Sequence, residues 1–283
     1  MVVLVLIDGW GIAPHGEGNA ITATDMPFIS RLIKEYPVAA LETGAPDWNT
    51  RYLAMGSGIN TSGNDEIPAT TLSAVISQAG LRQFKVSDSE RYAAATYFFN
   101  GLTEDKPTGE SWKIISEKSG LANKATADFR AVLKTGLQEI KSAEAADFIV
   151  ISFSYLDLVV LSDADKPEIV SKAVQVIDKS LKSIQAEVEN KGGVLLISSA
   201  GGNAEQLLNL RTEEIDKNLT INPVPFIVVG EDYKGLSIGG KDAPDNDLSV
   251  LSPAGSIADI APTVLTLLNL EIPSSMTGKN LLD

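Results

Sequence analysis

With 283 residues, 44% of them hydrophobic, the chain is long enough to bury a full core as one α/β domain. Its formal charge of −14 opposes phosphate backbones and anionic headgroups, so neither nucleic acid nor a membrane surface is an expected partner. The absence of cysteine excludes disulfides, thiolate metal sites and a cysteine nucleophile.

Residues 2–7 form an apolar run too short for a signal-peptide core and without a basic leader, which predicts a buried first strand in a cytoplasmic protein. No later apolar run approaches the ~20 residues that a membrane helix needs. A helix is predicted over 25–35, with Asp25 as N-cap and Pro27 in the first turn. Residues 56–68, rich in Gly and Asn and closed by Pro68, read as an exposed connection. Strands follow at 148–153, 194–198 and 225–229, and their nearly continuous apolarity points to a parallel sheet covered on both faces. Between the first two of these lies a helix over 167–189, with Ile169, Ala173, Val176, Ile177, Leu181 and Ile184 at three- and four-residue spacing. Residues 230–255 read as a long surface excursion before an amphipathic helix at 257–268. The alternation predicts one domain over 1–283: a doubly wound, mostly parallel α/β sheet with helices on both faces, binding ligands beyond its carboxyl strand ends.

Asp8-Gly9-Trp10-Gly11 after the first strand, followed by Gly18-Asn19-Ala20-Ile21, resembles the opening of the cofactor-independent (2,3-bisphosphoglycerate-independent) phosphoglycerate mutases of the alkaline phosphatase superfamily. Six later segments match that family in the same order, among them Ala79-Gly80-Leu81-Arg82-Gln83, Gly202-Asn203-Ala204-Glu205-Gln206 and Met276-Thr277-Gly278. The resemblance implies an alkaline phosphatase-like fold. It also implies a second, transferase domain inserted into the first, whose arginines clamp the phosphoglycerate. Here the connection 59–66 lies where that domain would leave, and eight residues cannot form it.

The same resemblance implies two manganese ions held by aspartates and histidines, which activate a serine or threonine nucleophile. Asp8 and Asp157 match metal-binding aspartates. Asp8 reads equally well as a remnant ligand and as a cap of the glycine turn beside it. Leu161 stands where the family has a histidine. Ala200-Gly201 replaces an Asp-His pair that supplies two ligands, and Leu219-Thr220-Ile221 lacks another histidine. His15 is the sole histidine of the chain, so a multi-histidine site is excluded. Trp48 takes the place of the family's serine nucleophile and Tyr52 that of a histidine; Trp48 is expected to fill the vacated pocket. Thr50 is a weak candidate nucleophile, and Ser57 a weaker one. Arg91 replaces a family lysine and Ala94 a histidine. Arg91 is a candidate for binding a phosphate oxygen, against the more ordinary reading of a solvated arginine paired with nearby acids. Asp163 and Asp165 read as helix caps and solvated groups.

Two carboxylates give at most a weak hard-cation site, for a single Mg or Mn ion completed by water. The sequence therefore favours a pseudoenzyme that binds a protein partner or a small phosphorylated ligand. The alternative is a metal-dependent phosphatase or phosphomutase rebuilt around Asp8, Asp157 and Thr50. A third expectation is a subunit that pairs with an intact mutase. Whether the chain is an enzyme stays open, leaning towards no.

Overall fold

The computed structural model describes residues 1–22, 24, 26–60, 68, 70–116, 121–209, 211–238 and 243–283. The predicted N-cap Asp25 and most of the connection 59–66 lie outside these residues.

Among the described residues, eight strands form one sheet. In chain order the sheet and its flanking helices are β1 (Val2–Ile7), α1 (Pro27–Glu35), β2 (Val38–Glu42), α2 (Trp48–Ser57), α3 (Leu72–Gln78), β3 (Gln83–Asp88), β4 (Glu110–Ile115), α4 (Leu121–Lys141), β5 (Phe148–Phe153), α5 (Tyr155–Asp163), α6 (Pro167–Asn190) and β6 (Val194–Ser198). A small hairpin of β7 (Leu208–Asn209) and β8 (Glu214–Ile215) follows, then β9 (Val224–Val229), β10 (Gly255–Ser256) and α7 (Ile260–Leu267). The spatial order is β10-β2-β9-β6-β1-β5-β3-β4, and only β9 runs against its two neighbours. The sheet is thus mostly parallel, as the nearly continuous apolarity of the strands predicts.

Side chains alternate along β1, so Val3, Val5 and Ile7 enter one core and Val2, Leu4 and Leu6 the other. The first core is closed by Phe28, Ile29 and Leu32 of α1, Phe129 and Val132 of α4, and the apolar stripe of α6. The second is closed by Tyr52 and Met55 of α2, Leu72 and Ile76 of α3, and Val264 and Leu265 of α7. Helices on both faces make the sheet doubly wound.

Two local expectations are corrected. Gly56 and Ser57 belong to the last turn of α2 and are buried, with Gly58 as the left-handed C-cap at φ 66°, so the segment does not open as an exposed connection. The glycine at 56 is required by close approach: a Cβ there would lie 1.8 Å from the Phe99 carbonyl oxygen. The predicted helix 257–268 begins as a 3₁₀ turn over Ile257–Asp259 before α7 proper. Among the described residues no helix is long and apolar enough to cross a membrane.

Candidate functional site

The carboxyl ends of β1, β5 and β3 are adjacent in the sheet, and each delivers one acid to the same place. Asp8 follows β1, Asp157 lies in the first turn of α5 just after β5, and Asp88 ends β3. Asp8 and Asp157 are fully or almost fully buried. Their positions are tied through the backbone, since the Asp157 amide donates to the Asp8 carbonyl at 3.1 Å.

Between the two carboxylates lies Arg91. Its Nε donates to Asp8 Oδ2 at 2.6 Å, and its Nη2 donates to Asp157 Oδ2. Arg91 is only 8% exposed, so the expectation of a solvated surface arginine is corrected. The turn that carries it is fixed by Asp88, whose Oδ1 accepts from the Glu90 and Arg91 amides at 3.0 and 3.3 Å. Asp88 Oδ2 meanwhile accepts from the Ser154 amide at 3.1 Å and hydroxyl at 2.7 Å, clasping the start of α5. One carboxylate thus registers the arginine against the segment that carries Asp157.

The remaining oxygens of the pair are also met. Asp8 Oδ1 accepts from the Ala200 amide at 3.3 Å, and Asp8 Oδ2 from the Tyr52 hydroxyl at 3.0 Å; that hydroxyl lies 2.7 Å from Ser152 Oγ. Asp157 Oδ1 accepts from Asn203 Nδ2 at 2.7 Å. Burial pushes the Asp8 carboxyl up to about 6 and raises that of Asp157, while the Arg91 charge pulls both back down. Burial and the Asp8 charge raise the Tyr52 phenol well above its usual range, so it stays a neutral donor.

The other candidate positions are spread around this centre. Trp48, at the start of α2, is half-buried, and its ring covers the Arg91 guanidinium. Thr50 donates its hydroxyl to Asp47 Oδ2 at 2.7 Å, and its amide donates to Asp47 Oδ1, the N-cap interaction of α2. Ser57 is buried in the last turn of that helix, and Ala94 is buried too. Asp163 pairs with Lys166 at 2.8 Å at the surface, away from the pair. Leu161, one turn beyond Asp157, is exposed.

Arg51, fully buried and absent from the candidates that sequence suggested, adds a second cation nearby. It donates to the carbonyls of Ala45 at 2.6 Å, Ala200 at 3.2 Å and Thr220 at 2.7 Å. Burial pulls its guanidinium down to about 10. Its Nη1 occupies the room beside Gly201: a Cβ at 201 would lie 2.1 Å from it and 2.6 Å from Leu219 Cδ1. Buried Glu205 secures the neighbouring loop by accepting from Thr220 Oγ1 at 2.5 Å and Asn222 Nδ2 at 3.1 Å. No local signal in the sequence marks Arg51 as buried, because its partners are backbone carbonyls far along the chain.

Among the described residues, no group of three or more His, Cys, Asp or Glu side chains is placed to hold a metal ion. The groups at the strand ends do not fit a pair of divalent cations: the oxygens that would face them face a guanidinium.

The model of the Metalloenzyme superfamily matches residues 1–272. The 2,3-bisphosphoglycerate-independent phosphoglycerate mutase of Chloroflexus aggregans is 35% identical over 216 residues, covering 75% of this chain and 37% of that protein. The chain therefore spans roughly two fifths of the length of the curated mutases it matches, 37% in this case and 39% in that of Antithamnion sp.. Among solved structures, a Leishmania mexicana phosphoglycerate mutase at low cobalt concentration superposes with a TM-score of 0.62 at 19% identity, over 75% of this chain and 39% of that one. TAB5 alkaline phosphatase gives a TM-score of 0.62 at 12% identity over 96% and 98% of the two chains. These two superpositions bear on the fold, and the match from residue 1 to 272 bears on descent: the chain belongs to the metalloenzyme superfamily and resembles the phosphatase-like part of the phosphoglycerate mutases.

Proposed function

We propose that this chain is a non-catalytic relative of the phosphoglycerate mutases, a single phosphatase-like domain that acts by binding a protein partner. The observation that carries the reading is the engagement of both Asp8 and Asp157 by one internal cation, Arg91. A phosphoryl-transfer site of this class needs cations to neutralise charge in transit and a hydroxyl activated beside them. Here both acids are engaged by one fixed side chain carrying a single positive charge, and the Thr50 hydroxyl is directed to Asp47.

The same arrangement weighs against a small phosphorylated ligand. Arg91 already serves two carboxylates and a ring, and Arg51 serves three carbonyls, so a phosphate would have to displace internal partners from either. Apolar side chains at the surface nearby favour a protein partner instead: Leu161 is 48% exposed and Ile221, next to the Thr220 carbonyl that Arg51 holds, is 84% exposed.

The second reading is a metal-dependent phosphatase built on Asp8, Asp157 and Thr50. It has one point in its favour, the convergence of the two carboxylates. The deciding experiment incubates the protein with a chromogenic phosphate ester and with phosphoglycerates in the presence of Mn, Mg or Zn. No turnover is expected from the native protein or from an Asp8→Asn/Asp157→Asn variant; metal-dependent turnover abolished by that variant would remove the non-catalytic reading. A pull-down from native extract, with Ile221→Asp as control, tests the partner.

A further inference from the structure

Two buried carboxylates from separate strand ends repel each other and demand a counter-charge. In this chain the demand is met from within. The edge of one planar guanidinium, Nε and Nη2, serves one acid with each nitrogen, a division that the fixed fork of arginine permits and a lysine ammonium does not reproduce. Every carboxylate oxygen of the pair then has a protein donor: Ala200 and Tyr52 complete Asp8, and Asn203 completes Asp157. Trp48 covers the guanidinium, and Asp88 fixes the turn from which it projects. The parts agree with one another: the cation has a built approach, a lid and a full set of acceptors.

We infer that Arg91 is a resident counter-ion standing in for a dissociable divalent cation between Asp8 and Asp157. The ends of β1, β3 and β5 are thereby held together without metal, and the two carboxylates become a divalent-cation site only when the guanidinium is removed. The inference concerns what binds the strand ends, so it fails separately from the reading of the chain as non-catalytic. Mn²⁺ bound by the pair without turnover would overturn it alone, and turnover that survives Asp8→Asn/Asp157→Asn would overturn the other alone.

The test titrates Mn²⁺ into the full chain, with electron paramagnetic resonance of the free ion as readout and the melting temperature as a second measure. The native protein is expected to leave the free Mn²⁺ signal unchanged and to melt at the same temperature with Mn²⁺ or with EDTA. Arg91→Gln is expected to bind one Mn²⁺ and to melt higher in its presence, since a ligand of the folded state stabilises it by mass action. Adding Asp157→Asn to Arg91→Gln is expected to weaken that binding by about tenfold or more, as one of two charged ligands is lost. Native protein that binds Mn²⁺ through Asp8 and Asp157 overturns the inference. So does folded Arg91→Gln, judged by circular dichroism, that binds none at millimolar concentration. If Arg91→Gln does not fold, Asp8→Asn/Arg91→Gln/Asp157→Asn decides: recovery of the fold supports the counter-ion role, and continued failure overturns it.

Discussion

The indole of Trp48 covers the guanidinium of Arg91, with the arginine Cζ 4.3 Å from the ring centroid. An arginine on an aromatic face, already shielded by two carboxylates, gains about 1 kcal/mol from that contact. Trp48→Leu is expected to lower unfolding free energy by about that amount, and by less when Arg91 has already been replaced. A double-mutant cycle in urea checks this; a coupling energy indistinguishable from zero would show the stacking to be incidental.

Removing Arg91 leaves Asp8 and Asp157 buried and facing each other. Arg91→Met is expected to cost about 3–5 kcal/mol, the range for breaking a buried pair from one side. Arg91→Lys keeps the charge but cannot serve both acids at once, so an intermediate loss of about 1–3 kcal/mol is expected. Equal losses for the two variants in guanidinium chloride would contradict the two-nitrogen geometry.

A second buried cation gives a prediction in pH. Lys85 of β3 lies 3.3 Å from Glu110 Oε2, donates to Ser73 Oγ at 3.0 Å and also to Asn100 Oδ1, and sits 4.5 Å from the Phe99 ring centroid. Burial lowers its pKa from 10.5 to about 8, opposed by Glu110. Between about pH 8 and 10.5 the unfolded chain therefore holds a proton that the folded chain has released. Stability rises with pH wherever the unfolded state binds more protons, so a gain of up to about 3 kcal/mol is expected across this window. Urea melts at successive pH values measure it, and Lys85→Met is expected to remove the slope. A fall in the native protein's stability across the window, attributable to Lys85, would reverse the assignment.

Thr50 and Asp47 separate a helix cap from a nucleophile. Asp47→Ala is expected to cost about 1 kcal/mol through loss of the α2 cap, and Thr50→Ala less than about 0.5 kcal/mol. Neither change is expected to alter hydrolysis of a chromogenic phosphate ester. Loss of a measurable activity on Thr50→Ala alone would favour the phosphatase reading.

The strands readable from sequence are those buried on both faces. β1, β5 and β6 are nearly continuous apolar runs, and β9 differs from expectation by starting at Val224 and by running antiparallel to its neighbours. β3 and β4 escape such reading because Lys85 and Glu110 interrupt their apolarity, and these charges are compensated by each other, by Asn100 and, for Lys85, by Ser73. α5 hides for a different reason: it is apolar nearly all round, so no face stands out against the preceding strand. At the site, Asp8 and Asp157 are legible because turn and family motifs mark their places. The role of Arg91 is not, since whether an arginine is solvated or buried is decided by acids from strands that only the fold brings together.

The filled space beside Gly201 limits what a single substitution there can do. An imidazole introduced at that one position would drive a side chain into Arg51 and Leu219. A side chain at 201 therefore needs Arg51 displaced, and Arg51 displaced first would orphan the carbonyls of Ala45, Ala200 and Thr220. The two positions are thus coupled, and a change at one is tolerated only with a change at the other.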